Sequence, residues 1–140
     1  MRWFIKGFSQ RSNIDVALTV APGFDRLAED LELAIFRILQ ECLINIHRHS
    51  ESKTARIRLD KQDGWVHCEI SDDGIGIPPE KQFALHSPGN VGVGLRGMRE
   101  RISQLGGVLQ IQSNGRGTTV TVGLPATVSA PDCQQAIKVQ

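Results

Sequence analysis

Three short groups of polar residues and glycines have the types and spacing needed to bind a nucleotide. Glu41 and Asn45 stand four residues apart, two aspartates and two glycines fall within residues 72–76, and a Gly-Val-Gly run begins at Gly92. Together they offer a base, a neutral oxygen ligand for a hard cation, a carboxylate that can read a base edge, and turns that let backbone approach phosphates. Each group is a weak signal alone, but their order makes ATP the leading ligand hypothesis.

The first group lies on the most regular helical pattern in the chain. Apolar residues recur at helical spacing over residues 27–49 without glycine or proline, which predicts a helix there. At about 100° per residue, Glu41, Asn45 and Arg48 share one edge of the apolar arc. Asn45 could hold Mg²⁺ and Glu41 could act as a base, although a solvated polar edge is an equally good interpretation. His49 falls inside the arc, which predicts a packed core histidine.

The second group follows an alternating run at residues 66–70 that predicts a strand. Strand parity places Asp72 on the core face and turns Asp73 away from it. A buried carboxylate needs a donor, and the exocyclic amine of adenine is one candidate. Gly74 and Gly76 would let a planar ring lie close to the backbone. A plain Asp-Asp-Gly turn is the alternative for this run taken alone.

The third group opens a helix predicted at residues 95–105. Free N–H groups and the positive dipole end at Gly92 and Gly94 would favour phosphates, although glycines at a helix start are common. Further along, Thr118 shares the strand parity of the apolar residues that follow it. Its hydroxyl should therefore face the same layer as Asp72 and could assist base recognition, while simple packing is the alternative.

The elements that must position these groups form one predicted domain. Helices are expected at residues 27–49 and 95–105, and strands at residues 14–20, 55–59, 66–70, 108–112 and 118–124, with a hairpin turn at 61–64. Residues 77–91 have three prolines and no clear period, as in a lid or a disordered loop. We expect residues 1–10 to end a helix from an upstream domain, 11–125 to form the domain itself, and 126–140 to be a polar tail.

The amino-acid composition further limits the number of domains, the partners and the kinds of site that the chain can have. With 140 residues and 40% apolar content the chain can bury one core, and its net charge of +1 indicates no polyanionic partner such as nucleic acid. Three dispersed cysteines without CxxC spacing argue against a disulfide framework or a zinc site and favour a reducing cytoplasm. The sequence contains no run of about 18 apolar residues, the length that a helix needs to span a bilayer. The P-loop, GxSxG and HExxH motifs are absent from the sequence.

Taken in order, the motifs resemble the catalytic domain of sensor histidine kinases. Residues 41–50 look like the N box of that family, 71–78 like its first glycine box, 92–101 like its second glycine box, and 115–120 like its closing Gly-Thr motif. The run from Gly92 to Gly107 is especially similar to the nitrate-sensor and desiccation-sensor type of kinase. The resemblance covers nearly the whole chain.

The resemblance implies the Bergerat fold, an α+β two-layer sandwich with a mixed, mostly antiparallel sheet, helices on one face and a flexible ATP lid. It also implies roles for matching positions. Asn45 would hold Mg²⁺, Glu41 would be the catalytic base, and Asp72 would read adenine. The pocket and lid would be shaped by Gly74, Gly76, Gly92 and Gly94, and Thr118 would support the adenine contact through water.

The function implied is that of an ATP-binding catalytic domain that transfers the γ-phosphoryl group to a histidine on a separate dimerisation domain. A response regulator would act downstream, in the cytoplasm, whether or not the parent kinase is anchored in a membrane. None of the four histidines stands in the family's acceptor context, so the acceptor is expected elsewhere. Because dimerisation in this family resides mainly in the helices that carry the acceptor, the fragment is expected to be monomeric or weakly associating. Alternatives are an anti-sigma-factor serine kinase of the same superfamily and a non-catalytic nucleotide-binding module.

Overall fold

The structure is a computed structural model that describes residues 2–22, 24, 27–76 and 93–126. The proposed lid at residues 77–91 and all but the first residue of the proposed tail lie outside these ranges. The elements, in chain order, are α1 (Arg2–Ser12), β1 (Asp15–Val20), α2 (Glu29–Asn45), a π-helical turn (Ile46–Ser50), β2 (Thr54–Gln62), β3 (Trp65–Asp72), α3 (Val93–Gln104), β4 (Val108–Asn114) and β5 (Gly117–Pro125). Within the described residues, no helix is long and apolar enough to cross a membrane.

Five strands form one sheet in the order β1-β2-β3-β5-β4. Strand β1 runs parallel to β2, and the other neighbours are antiparallel. The β2–β3 hairpin closes through Asp63 and Gly64, whose φ angles of 54° and 79° match the positive-φ two-residue turn that Asp-Gly favours. The mixed sheet predicted from sequence is therefore confirmed.

One face of the sheet is covered by helices, and the other is open. The apolar residues that alternate along β2, β3 and β5 are buried, namely Ala55, Ile57, Leu59, Val66, Cys68, Ile70, Val120, Val122 and Leu124. These side chains meet the buried stripe of α2 together with Met98 and Ile102 of α3. We call this the covered face, and the side carrying the alternate residues the open face. Each large apolar side chain buried there contributes roughly 1.5–3 kcal/mol. The two-layer α+β architecture is confirmed.

Aromatic contacts attach α1 to α2. The Phe4 and Phe36 ring centroids lie 5.3 Å apart in an edge-to-face arrangement, and Phe8 meets His47 at 6.2 Å. Phe8 and Ile5 are buried. The predicted helical start of the chain is thus part of the core, while its continuation from an upstream domain stays a prediction.

Helix α3 ends where the sequence predicted, at Gly106-Gly107. Gly106 takes a φ of 78°, and its N–H donates to the Ser103 carbonyl at 3.0 Å, while Gly107 N–H donates to the Ile102 carbonyl at 2.8 Å. These two bonds make a Schellman cap. A Cβ at Gly107 would approach the carbonyl oxygen of Gly123 to 2.4 Å, so the cap also seats the helix end on the sheet.

Two cysteines lie inside the core. Cys42 of α2 and Cys68 of β3 are buried free thiols. Burial raises the pKa of Cys42 to about 12, with a further contribution from Glu41. Burial likewise raises the pKa of Cys68 well above its usual range. Both side chains behave as small apolar residues rather than as thiolates.

Candidate functional site

Asp72 ends β3 on the covered face. It is only 6% exposed, as strand parity predicted, and its Oδ1 accepts the N–H of Gly74 at 2.8 Å. Burial raises the pKa of the Asp72 carboxyl, although the backbone N–H groups of Gly74 and Thr118 act in the opposite direction. A carboxylate offers about four lone-pair positions, so these two donors leave capacity for a ligand donor.

The glycines after Asp72 allow close contact between segments of the protein itself. A Cβ at Gly74 would lie 2.0 Å from the Ser50 carbonyl oxygen, and one at Gly76 would lie 1.8 Å from the Asn114 carbonyl oxygen. Gly76 also has a φ of 77°. In the structure these glycines let the strand end pack closely against its neighbours, and their predicted contact with a ligand ring stays a prediction.

Ser50 connects this strand end to α2. Its carbonyl accepts the N–H of Ile75 at 2.8 Å, and its hydroxyl donates to the Ile46 carbonyl at 2.7 Å. Ser50 is buried because the wider π-helical turn that follows α2 directs this residue toward the core. Such π turns recur at functional sites, where they redirect side chains and carbonyls.

The same turn overturns one prediction. An ideal helix over residues 27–49 would have placed His49 in the apolar arc, but His49 is exposed. The α-helix ends at Asn45, and the wider π turn changes the angular position of each later residue, so Ser50 rather than His49 reaches the core. The prediction of a packed core histidine at position 49 was wrong.

Glu41 and Asn45 lie one turn apart on α2, both half-buried at the edge of the buried stripe. Arg48, predicted on the same edge, is exposed. Across the described part of the chain, no cluster of three or more His, Cys, Asp or Glu side chains could hold a metal. The carboxamide oxygen of Asn45 is a hard, neutral donor of the type that suits Mg²⁺.

Thr118 and the second glycine pair complete the predicted site residues. Thr118 is half-buried, its backbone N–H reaches Asp72, and its hydroxyl pairs with the Ser113 hydroxyl at 2.9 Å. Gly94 lies in the first turn of α3, and Gly92 falls just outside the described residues. The structure thus brings Thr118, Asp72 and Gly74 into direct contact, and Ser50 links them to the helix that carries Glu41.

A second carboxylate network lies on the open face, and sequence reasoning missed it. Arg56 meets both oxygens of Asp73, with Nη1 to Oδ2 at 2.7 Å and Nη2 to Oδ1 at 3.2 Å, and the Thr54 hydroxyl donates to Oδ2 at 2.9 Å. These bonds lower the pKa of Asp73 and raise that of Arg56. The signal was present, since Thr54 and Arg56 have outward parity in β2 and Asp73 continues the outward parity of β3 by one residue.

The backbone of Asp73 is held as well. The Ser52 hydroxyl accepts the Asp73 N–H at 3.2 Å and donates to the Thr54 carbonyl at 2.6 Å. The three consecutive N–H groups of Asp73, Gly74 and Ile75 therefore each have a partner within the protein. The segment is fixed on both faces of the sheet.

Comparison with known proteins agrees with this architecture. The family model for histidine kinase-, DNA gyrase B- and HSP90-like ATPases matches residues 30–128. The sensor histidine kinase MctS of Rhizobium johnstonii is 30% identical over 92% of this chain and 27% of its own length. The histidine-protein kinase/phosphatase UhpB of Salmonella typhimurium is 39% identical over 71% of this chain and 18% of its own. The chain thus spans less than a third of either relative.

Among solved structures, the blue-light-activated histidine kinase of Erythrobacter litoralis shares the fold. Its TM-score is 0.75 at 21% identity, over 90% of this chain and 40% of that chain.

Proposed function

The chain belongs to the family of histidine kinase-, DNA gyrase B- and HSP90-like ATPases, and from that premise we propose that Asp72 reads the adenine of its ATP. The chain is an ATP-binding domain of the kind found in sensor histidine kinases of the nitrate-sensor type. The single observation that carries the assignment is the environment of Asp72, a buried carboxylate with a raised pKa whose donors are backbone N–H groups.

Burial, with backbone N–H groups as hydrogen-bond donors, suits Asp72 to this task. A carboxylate removed from water gains strongly from any further donor, because an unsatisfied buried charge is costly. The exocyclic amine of adenine is such a donor. A hypoxanthine base, which carries a carbonyl at that position, would face the carboxylate with an acceptor and be rejected.

The other site residues are proposed in roles around the phosphates. Asn45 would hold Mg²⁺, which supplies charge neutralisation at the phosphates when bound. Glu41, one turn earlier, would accept the proton carried by the ring nitrogen of the acceptor histidine that does not attack phosphorus. Gly92 and Gly94 would present N–H groups to the phosphates at the start of α3, and Gly76 and Thr118 would shape the adenine end of the pocket.

The reaction proposed is transfer of the γ-phosphoryl group of ATP to a histidine on another domain of the parent kinase. The relatives are named histidine kinases, and this chain spans only a fraction of their length. The proposed parent supplies a dimerisation domain continuing from α1, works in the cytoplasm, and passes the phosphoryl group to a response regulator. The proposed lid, and all of the proposed tail except its first residue, lie beyond the described residues.

Calorimetric titration of ATP with and without Mg²⁺ tests the binding roles. Replacing Asn45 with alanine should leave metal-free ATP binding unchanged and remove most of the increase in affinity that Mg²⁺ produces. Replacing Arg37, which is exposed on α2 about two turns before Asn45, is the control and should change neither value. An unchanged Mg²⁺ effect in Asn45→Ala would remove the metal assignment.

A transfer assay tests the reaction. The chain is incubated with labelled ATP and a dimerisation domain that carries a candidate histidine, and the product is checked for acid lability. We expect an acid-labile phosphohistidine that Glu41→Gln reduces by about a hundredfold while ATP affinity is kept. A parallel incubation uses an anti-sigma-factor partner in place of the dimerisation domain. Acid-stable phosphoserine on that partner would instead identify the serine-kinase alternative.

A further inference from the structure

We propose that Arg56, on the open face of the sheet, is a positioning residue for adenine recognition on the covered face. The inference rests on the proposed role of Asp72. Arg56 would act through Asp73, the residue that follows Asp72 in the chain, and would not itself touch the nucleotide.

The contact between Arg56 and Asp73 has the geometry of a positioning clamp. Both guanidinium Nη atoms meet carboxylate oxygens, at 2.7 Å and 3.2 Å, so the pair is bidentate. The Thr54 hydroxyl adds a third bond at 2.9 Å. A planar fork fixes the carboxylate in orientation as well as in position, which a single point contact does not do.

The backbone couples the orientation of Asp73, which the Arg56 contact fixes, to the position of Asp72. Asp72 and Asp73 are joined by one peptide plane, and the N–H of that plane is held by the Ser52 hydroxyl at 3.2 Å. Beyond Asp73, the N–H of Gly74 returns to the Asp72 carboxylate at 2.8 Å. A rotation of the Asp73 backbone would therefore move the plane that carries Asp72 and would turn the Gly74 N–H away from it.

The neighbouring arginine offers a built-in comparison. Arg58 lies two residues along β2 on the same face, but it reaches Glu69 with one atom pair at 3.9 Å, and Glu69 lies in the middle of β3. Both arginine side chains are mostly exposed, at 52% and 67%. Their charge and exposure are similar, so a difference between them reports the connection to Asp72.

The experiment compares the affinities of ATP and inosine triphosphate for wild type, Arg56→Ala, Arg56→Lys and Arg58→Ala. Arg56→Ala should weaken ATP about threefold, the size expected for loss of an exposed but bidentate pair, and leave inosine triphosphate unchanged. Arg56→Lys keeps the charge without the fork and should lose about twofold. Arg58→Ala should change neither affinity. Raising the salt to about 0.5 M should shrink the Arg56 effect.

A double-mutant cycle tests the route. If Arg56 acts through Asp73, Arg56→Ala combined with Asp73→Asn should bind ATP no more weakly than the weaker single variant. Additive losses would overturn the proposal, as would equal weakening of both nucleotides by Arg56→Ala or an equal effect of Arg58→Ala. Should Arg56→Ala fail to fold, the affinities of Arg56→Lys for ATP and inosine triphosphate are compared instead, with the smaller expected loss of about twofold for ATP.

The wild-type titration separates this inference from the proposed function. If wild type binds ATP and inosine triphosphate equally, the adenine role of Asp72 fails and the Arg56 inference fails with it. If wild type discriminates between them and the Arg56 variants discriminate equally well, Asp72 keeps its role and only the positioning inference is lost.

Discussion

Asp72 and Asp73 are adjacent in the chain, yet they belong to opposite faces of the sheet and opposite electrostatic settings. Asp72 is buried, takes its hydrogen bonds from backbone N–H groups, and has a raised pKa. Asp73 is exposed, is bound by Arg56 and Thr54, and has a lowered pKa. The first carboxylate remains available to a ligand, whereas the second holds the backbone in place.

The two faces of the sheet around these aspartates also differ in how tightly they are packed. On the covered side, Gly74 packs against the Ser50 carbonyl with no space for a Cβ, and backbone atoms cannot easily shift. On the open side, the contacts are made by long side chains in water. Substitutions that add side-chain volume should therefore cost most on the covered side, where the structure has least freedom to relax.

The largest expected effect is that of Gly74→Ala. Its Cβ would overlap the Ser50 carbonyl at 2.0 Å, and we expect the free energy of unfolding to fall by about 3 kcal/mol, measured by urea denaturation. Gly97→Ala is the control, because a Cβ there meets nothing within 4 Å in α3, and it should stabilise the protein by roughly 0.5–1 kcal/mol. Equal changes in the two variants would contradict the difference in available space.

The next effect is that of Asp72→Asn on ATP binding. Asparagine presents an amide to the adenine amine in place of a charge, so affinity should fall by about ten- to a hundredfold in calorimetry. Asp73→Asn is the matched control, with an expected loss of about threefold through the backbone. Should Asp72→Asn bind ATP as tightly as wild type, the adenine assignment is wrong.

The pH dependence of stability should also separate the two aspartates. Because the folded state raises the pKa of Asp72, its contribution to stability is fully present in acid, below the unfolded pKa, and is lost as pH rises through the folded pKa. At neutral pH, Asp72→Asn should therefore be more stable than wild type, and the difference should shrink in acid. Urea unfolding between about pH 4 and about pH 8 measures it.

The smallest effect is that of Asp73→Asn on stability, and its sign is opposite. The folded state lowers the pKa of Asp73, so its stabilisation is present above the unfolded pKa and is lost as pH falls through the folded pKa. The variant should be slightly less stable than wild type at neutral pH and equal to it in strong acid. Added salt should reduce the difference, and the same sign as for Asp72→Asn would refute the comparison.

The sequence predicted much of this arrangement because strand parity is a strict rule. Alternation in β3 was enough to place Asp72 inward and Asp73 outward, as the burial of Asp72 confirms. The Asp-Gly turn and the double glycine after α3 fixed two chain reversals for similarly local reasons.

The features that were missed depend on contacts between distant segments. The π turn cannot be read from helical periodicity, so His49 was placed in the core and the role of Ser50 was not seen. The clamp on Asp73 joins residues 17 to 21 positions apart, namely Arg56, Thr54 and Ser52, and local patterns do not show which of several outward polar residues will pair. Sequence motifs marked the Asp72 side of the strand, whereas the contacts that hold the strand end on its other face are visible only in the three-dimensional structure.

The buried thiols offer a way to observe opening of the molecule. Cys42 lies on the helix and Cys68 on the sheet, and both are protonated and shielded in the folded state. Cys133 is the third cysteine of the chain, and replacing it with serine leaves only these two thiols. In that variant an aromatic disulfide reagent would react with Cys42 and Cys68 only when the two layers separate. The rate of colour development would then report the free energy of that separation, and added ATP should slow the reaction in proportion to site occupancy.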